Sequence, residues 1–321
     1  MSTHLVTGIT GQDGVHLARL LRAEGGRVVG VHRPGSREAL AMAPYLHGVE
    51  LVALDVRDHA GVANLIESVR PDEVYNLAAM SSVGESWDHP DEAVAVNGAA
   101  PVAMLATLAA HPDVRFLQAA SAEETGDAAG SPYARGKAQA HAAVAEARAR
   151  GLFAAAAVLH IHESPIRRRR FVVRKITRGA AEIALGRRER LSLGSLHVRR
   201  DWGAAADHVR AMRLMLAAAE PADFEVATGH VHALRDVVEL AFAAAGISDA
   251  WGHVDHDESL VRPADAAELR GDPAPLLRVL GWAPTRTLAD VVAEMVAVDL
   301  RRVETGVEEH ESYLAGGVAI S

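Results

Sequence analysis

The first half of the chain alternates between two periodicities. Short apolar runs recur: "HLVTG" at 4–8, "RVVGVHR" at 27–33, "VELVALD" at 49–55, "EVYNLAA" at 73–79 and "VRFLQAAS" at 114–121. Their length and apolar character predict buried strands. Between them the spacing is helical. Val15, Leu17, Leu20 and Leu21 share one face after the first run, and Val62 and Ile66 share another after the third. An alanine-rich helix is expected at about 91–109, then a helix at 132–147 and a sixth strand at 153–161. The runs are apolar on both faces, as strands covered by helices on both sides must be. This alternation predicts right-handed crossovers and an α/β fold with a doubly wound parallel sheet.

After His162 the pattern changes. "ESPIRRRRF" interrupts the alternation, and a helix, a short strand "RLSLGS", a helix and a strand "FEVATG" follow. A proline-rich loop, "VRPADAAELRGDPAP", precedes a last helix from Leu288. We expect a dinucleotide-binding domain over 1–162 and a smaller C-terminal α/β lobe over 163–304, with segments returning to the first domain. A loose tail is expected over 305–321.

Composition narrows the chemistry. The 321 residues are 49% hydrophobic and 23% charged, an ordinary globular balance. A net charge of −9 offers no basic face, so neither nucleic acid nor an anionic membrane is an expected partner. There are no cysteines, which excludes thiolate catalysis, disulfides and thiol-ligated metals. "MSTHLVTGITGQDG" runs directly into a strand with no basic or long apolar leader, and a soluble cytoplasmic protein is expected. Among the seventeen histidines, His160 and His162 lie two apart without an acidic cluster at ligand spacing, so no metal site is expected. The run 167–170 of four arginines reads as either a solvated face or a diphosphate cradle.

Three motifs carry candidate chemistry. "TGITGQDG" places Gly8, Gly11 and Gly14 between the first strand and the first helix. Glycine there permits positive φ and close approach of backbone to a pyrophosphate at a helix N-terminus. The second strand ends in His32 and Arg33, with no carboxylate for a ribose 2′-hydroxyl, which favours NADP over NAD. Asp55, at the end of the third strand, is placed to accept from an adenine amine. "YARGK" sets Tyr133 and Lys137 four apart on one helix face, where an ammonium lowers the pKa of a phenol and makes it a usable base. Lys137 is one of only two lysines, the other being Lys175. Ser121 ends the fifth strand, where the sheet faces its ligand crevice. Glu123 follows two residues on, either a base for a carbon-bound proton or a solvated loop acid; Glu124 reads as solvated.

These residues resemble the extended short-chain dehydrogenase/reductase superfamily, and within it the GDP-mannose 4,6-dehydratase family. The likeness runs over nearly the whole chain, through "PDEVYNLAAMSSVGESW", "SPYARGKAQAH", "HESP", "FVVRKITRGAAEIALG", "RRDWGAAADHVRAM" and "GDPAPLLRVLGW". It implies a Rossmann domain, a nucleotide-sugar lobe, a recycled NADP and a homodimer or homotetramer. It further implies cofactor contacts from Thr10, Gln12, Asp13, Val56, Leu77, Ala78, Ala79 and His162, in addition to the residues above. Substrate contacts are implied for Ser81, Glu163, Lys175, Arg200, Arg262 and Asp265. Catalysis would fall to Ser121, Glu123, Tyr133 and Lys137. Ile161 stands where the family carries an asparagine, Met80 and Ser82 replace a polar pair, Thr125 replaces an aromatic and Asp265 a glutamate. The segments after Arg33 and Gly126 are short for the family. The implied reaction is 4,6-dehydration of a nucleotide sugar. The alternative is an NADP-dependent epimerase acting at C3 or C5, and a non-catalytic NADP-binding scaffold is the reading from another class.

Overall fold

A computed structural model describes residues 1–124, 130–260 and 267–314. The chain forms two compact units, each built from several segments. Met1–Leu159, His208–Val226 and Pro273–Trp282 make the first; His160–Asp207, Ala227–Asp272 and Ala283–Ser321 make the second.

The first six strands are β1 (Thr3–Thr7), β2 (Arg27–His32), β3 (Glu50–Ala53), β4 (Glu73–Asn76), β5 (Arg115–Ser121) and β6 (Ala154–Leu159). Then come β7 (Ile161–Glu163), β8 (Leu191–Leu193), β9 (Arg199–Ala204), β10 (Phe224–Val226), β11 (Val231–Ala233), β12 (Val254–His256) and β13 (Glu268–Leu269). The helices begin with α1 (Gln12–Ala23), α2 (Arg37–Met42), α3 (His59–Val69), α4 (Val83–Asp88), α5 (Pro90–Val94) and α6 (Ala100–Leu108). They continue with α7 (Pro132–Ala149), α8 (Val172–Ala184), α9 (Ala205–Ala217), α10 (Leu234–Ala244), α11 (Ala274–Leu280) and α12 (Leu288–Thr305).

In the first unit a parallel sheet runs in the order β10-β6-β5-β4-β1-β2-β3. The strand order reverses between β1 and β4, the switch point at which such sheets open a crevice beyond their C-terminal ends. One layer of the core packs Leu5, Val29, Val74, Phe116 and Ala156 of the strands against Ile66, Met104 and Val144 of α3, α6 and α7. Each of the large side chains contributes about 1.5–3 kcal/mol by leaving water. The second unit carries β11-β9-β13 with β7 on β9, and a separate β12-β8 pair. Its core joins Val173, Ile176, Trp202, Leu234, Phe242, Val292 and Met295.

Four expectations are corrected. The strand expected at 153–161 breaks at His160: β6 stays in the large sheet, while β7 pairs with β9. β3 is an edge strand with Glu50, Leu51 and Ala53 exposed, not a strand covered on both faces. The helix at 91–109 contains a π turn over Ala95–Ala99, between α5 and α6. Finally, the segment after α12 is exposed over most of 306–312 but is anchored at its end. Tyr313 and Leu314 are buried, Arg302 Nη2 lies 2.9 Å from Glu309, and the Tyr313 hydroxyl donates to the Val307 carbonyl at 2.8 Å. Residues 315–321 lie outside the described residues.

Candidate active site

The site begins where β1 ends. Gly8 has φ +68°, and a Cβ on it would lie 2.7 Å from the Ala78 nitrogen and the Leu77 carbonyl carbon. Only glycine lets the turn after β1 press against the end of β4. A Cβ on Gly14 would meet the Gly8 carbonyl oxygen at 2.4 Å, so that position too accepts only glycine. Gly11 is the N-cap of α1 and makes no side-chain cap hydrogen bond, and the N-terminus of a helix favours an anion. Thr10 is buried beside it, and Gln12 and Asp13 open the helix. These features fit a dinucleotide pyrophosphate.

A buried chain of hydrogen bonds links this turn to α7. Thr7 Oγ1 donates to Asn76 Oδ1 at 2.6 Å and accepts from the Ala78 N–H at 3.1 Å. Asn76 Nδ2 donates to Gln118 Oε1 at 2.8 Å, and Gln118 Nε2 to the Ala119 carbonyl at 2.9 Å. Lys137 Nζ donates to that same carbonyl at 2.6 Å. Thr7, Asn76 and Gln118 escaped the sequence reading. Their signal was a hydroxyl or amide within an otherwise apolar strand, in "LVT", "VYN" and "FLQ".

Ser121 is the last residue of β5, buried, and its Oγ accepts from the Glu123 N–H at 3.2 Å. Glu123 lies in the 3-10 turn Ala122–Glu124. α7 is started by Ser131, whose hydroxyl accepts from the Ala134 N–H at 3.1 Å, and by Pro132 in the first turn. Tyr133 follows, with its N–H on Ser86 Oγ at 3.3 Å. Lys137 Nζ is 5.9 Å from the Tyr133 ring centre, and both residues are buried. Burial pushes the Lys137 ammonium down to about 8, against the opposing charges of Glu124 and Asp13. In the first unit, then, β5 ends in Ser121, the adjoining turn carries Glu123, and α7, which carries Tyr133 and Lys137, is tied to β5 by the Lys137 bond to the Ala119 carbonyl.

At the far end of the crevice Asp55 is already engaged. Arg57 bonds both its oxygens, at 3.0 and 2.6 Å, and holds its carboxyl below the usual range. Val56 is buried next to it. Arg57 and Arg33 both approach Glu92, at 3.4 and 3.7 Å. Arg57 was missed by the sequence reading. Leu77, Ala78 and Ala79 follow β4, half-buried. Beyond them Met80 exchanges two hydrogen bonds with Asn97, in the π turn, at 2.9 and 3.2 Å. Ser81 is exposed, and Ser82 caps α4.

The remaining candidates belong to the second unit. His162 in β7 has Nδ1 2.7 Å from the His160 carbonyl, and Glu163 is buried 3.3 Å from Arg167. Lys175 lies half-buried on α8; Arg200 on β9 is buried and donates to the Arg199 carbonyl at 2.8 Å. Arg262, Asp265 and Thr125 lie outside the described residues. The arginine run is no simple solvated face: Arg167 also stacks on Phe171 at 3.6 Å, and Arg169 pairs with Glu182 at 3.2 Å. Glu124 corrects its expectation, its side chain being only 7% exposed and bonded to His141. Among the described residues no three histidine, aspartate or glutamate side chains gather as metal ligands, and no helix is long and apolar enough to cross a membrane.

A doubly wound sheet with a glycine turn after β1, a serine ending β5 and a Tyr-Lys pair on the next helix defines the short-chain dehydrogenase/reductase class of nucleotide-binding proteins. The comparisons narrow it. A family model described as GDP-mannose 4,6 dehydratase matches residues 5–295, and the chain belongs to that family. It is 36% identical to GDP-mannose 4,6 dehydratase 2 of Arabidopsis thaliana, over 92% of this chain and 86% of that one. It is also 36% identical to GDP-mannose 4,6 dehydratase of Homo sapiens, over 94% and 92%. Among solved structures, UDP-glucose 4-epimerase of Thermotoga maritima with UDP-glucose superposes with TM-score 0.82 at 19% identity, covering 94% of this chain and 99% of that one.

Proposed function

We propose that this chain is a nucleotide-sugar 4,6-dehydratase that converts GDP-mannose to GDP-4-keto-6-deoxymannose, with NADP as a recycled cofactor. The observation that carries the reading is the fastening of α7 to the end of β5: Lys137, one turn after Tyr133, donates to the Ala119 carbonyl two residues before Ser121, and Glu123 in the next turn is bonded through its N–H to Ser121. An oxidoreductase needs only Ser121, Tyr133 and Lys137. A carboxylate added in that turn supplies the base that proton abstraction at carbon requires.

A nicotinamide dinucleotide, when bound, supplies the acceptor and later the donor of the hydride for a transient oxidation at C4. Tyr133 takes the proton of the sugar 4-hydroxyl, and the adjacent Lys137 cation favours its phenolate. Ser121 donates to the same oxygen and orients it. The resulting ketone acidifies the C5 proton. Glu123 removes that proton and returns it to the C6 hydroxyl, which leaves as water; the C5–C6 double bond so formed then takes back the hydride at C6 and a proton from solvent at C5, giving the 4-keto-6-deoxy sugar. In the second unit, Lys175 and Arg200 are the cations assigned to the nucleotide diphosphate.

NADP is supported by two features. His32 and Arg33 end β2 where a carboxylate would select the ribose 2′-hydroxyl, and Arg57 adds a second guanidinium near Arg33, both drawn to Glu92.

One experiment tests this. The protein is incubated with GDP-mannose in deuterated water, once with NADP and once with NAD, and the product is read by NMR and mass spectrometry. Loss of water with deuterium at C5, faster with NADP, is the expected result. Deuterium without loss of water would mark an epimerase, and no change would overturn both readings.

A further inference from the structure

The turn that carries Glu123 holds a second carboxylate. Glu124 is 7% exposed in its side chain. Its Oε1 accepts from His141 Nδ1, while its Oε2 is buried with no hydrogen-bond partner among the described residues. The other ring nitrogen of His141 lies 3.4 Å from Asp223 Oδ2. Asp223 is itself fixed by Arg148 at 2.9 Å and by the Ala156 N–H at 2.7 Å. An imidazole between two carboxylates donates from both nitrogens and is therefore a cation. Its hydrogen bonds to Asp223 and Glu124 raise His141 to about 10, so the bridge persists through neutral pH. Tyr133, Lys137 and His141 follow one another at steps of four along one face of α7.

We propose that Glu124 and His141 are positioning residues: the imidazolium clamps the Glu124 carboxylate to α7, which fixes the turn presenting Ser121 and Glu123 and keeps a negative charge beside the Lys137 ammonium. This rests on the catalytic reading of those residues given above. A buried carboxylate with an unpaired oxygen is costly and persists only where cations compensate it. Here the compensating charges come from α7 on both sides of one helical turn. Lys137 is faced by Glu124 from the 3-10 turn, Asp13 from α1, Tyr133 from its own helix and the Ala119 carbonyl from β5. His141 is faced by Glu124 and by Asp223, which Arg148 holds in place. Glu124 is the group common to both cations, and it adjoins the candidate base.

The two lysines of the chain make the ammonium directly observable. The full chain is labelled with lysine carrying ¹³C at Cε and titrated by NMR, with Lys175→Arg assigning the two signals. Glu124→Gln keeps the shape and the contact with His141 but removes the charge. It is expected to lower the Lys137 midpoint by roughly half a pH unit or more, because a carboxylate near an ammonium favours its charged form. It should also lower kcat about tenfold with KM for GDP-mannose within about twofold, the pattern of a lost transition-state term. His141→Ala should lower kcat similarly, and His141→Arg, whose guanidinium can bond both carboxylates, should restore most of it. An unchanged Lys137 midpoint in Glu124→Gln overturns the electrostatic part. Equal loss of kcat in His141→Ala and His141→Arg overturns the clamp and leaves a packing role. The lysine titration requires no turnover, so its outcome is separate from whether GDP-mannose is the substrate.

Discussion

Tyr133 and Lys137 make a local pair whose chemistry depends on a remote one. The i, i+4 spacing stacks them on α7, yet what makes Lys137 unusual is its burial against β5, where its ammonium donates to the Ala119 carbonyl and feels the charges of Glu124 and Asp13. The sign of the pH effect follows. With its pKa lowered to about 8, Lys137 is cationic below that pH and neutral above it, so its support for the Tyr133 phenolate fades as pH rises through about 8. The kcat profile is therefore expected to fall on the alkaline side near that value. Tyr133→Phe should remove about 10² or more of the rate across the whole profile while NADP still binds with ordinary affinity, as measured by fluorescence titration. Substantial activity in the phenylalanine variant would take the proton-transfer role away from Tyr133.

At the scale of elements, α7 is held against its neighbour by small residues. A Cβ on Gly136 would sit 2.8 Å from the Cβ of Asn97 in the π turn, and one on Gly98 would meet Gln139 Oε1 at 2.4 Å. The π turn and the bare glycine faces together let α7 approach closely, and Asn97 uses the same turn to hold Met80. Helix propensity alone predicts that Gly136→Ala stabilises by about 1 kcal/mol. The close contact predicts the reverse, a loss of about 1–3 kcal/mol from overpacking, with a drop in kcat as Tyr133 and Lys137 shift. Chemical denaturation decides between the two signs. The sequence showed the helices on either side of this contact through their 3.6-residue period. It gave no sign of the π turn, because the extra residue per turn is set by what packs against it.

Over the whole molecule, the second unit is tied together by charge as well as by apolar packing. Asp299 on α12 is fully buried and accepts from Arg174 Nε at 2.9 Å, from Thr177 at 2.8 Å and from Arg302 Nη1 at 3.3 Å. Arg174 Nη1 also donates to the Pro165 carbonyl at 2.9 Å, and Arg302 continues the network to Glu309 in the segment after α12. Asp299→Ala would leave two guanidiniums buried without their shared carboxylate. A loss of about 3–5 kcal/mol is expected, read as an earlier denaturant midpoint for this unit. A change under about 1 kcal/mol would mean that the network is replaceable by water. By itself the sequence determined the alternation of strands and helices in the first half, the glycine turn, and the pairing of Tyr133 with Lys137, because each depends on backbone period and on residues within a few positions. It did not determine that β6 ends at Leu159, that Tyr313 and Leu314 anchor the segment after α12, or that the Glu124 side chain is buried. Those were decided by the tertiary structure, since a carboxylate leaves water only when charges from distant segments, here His141 and Lys137, arrive to compensate it.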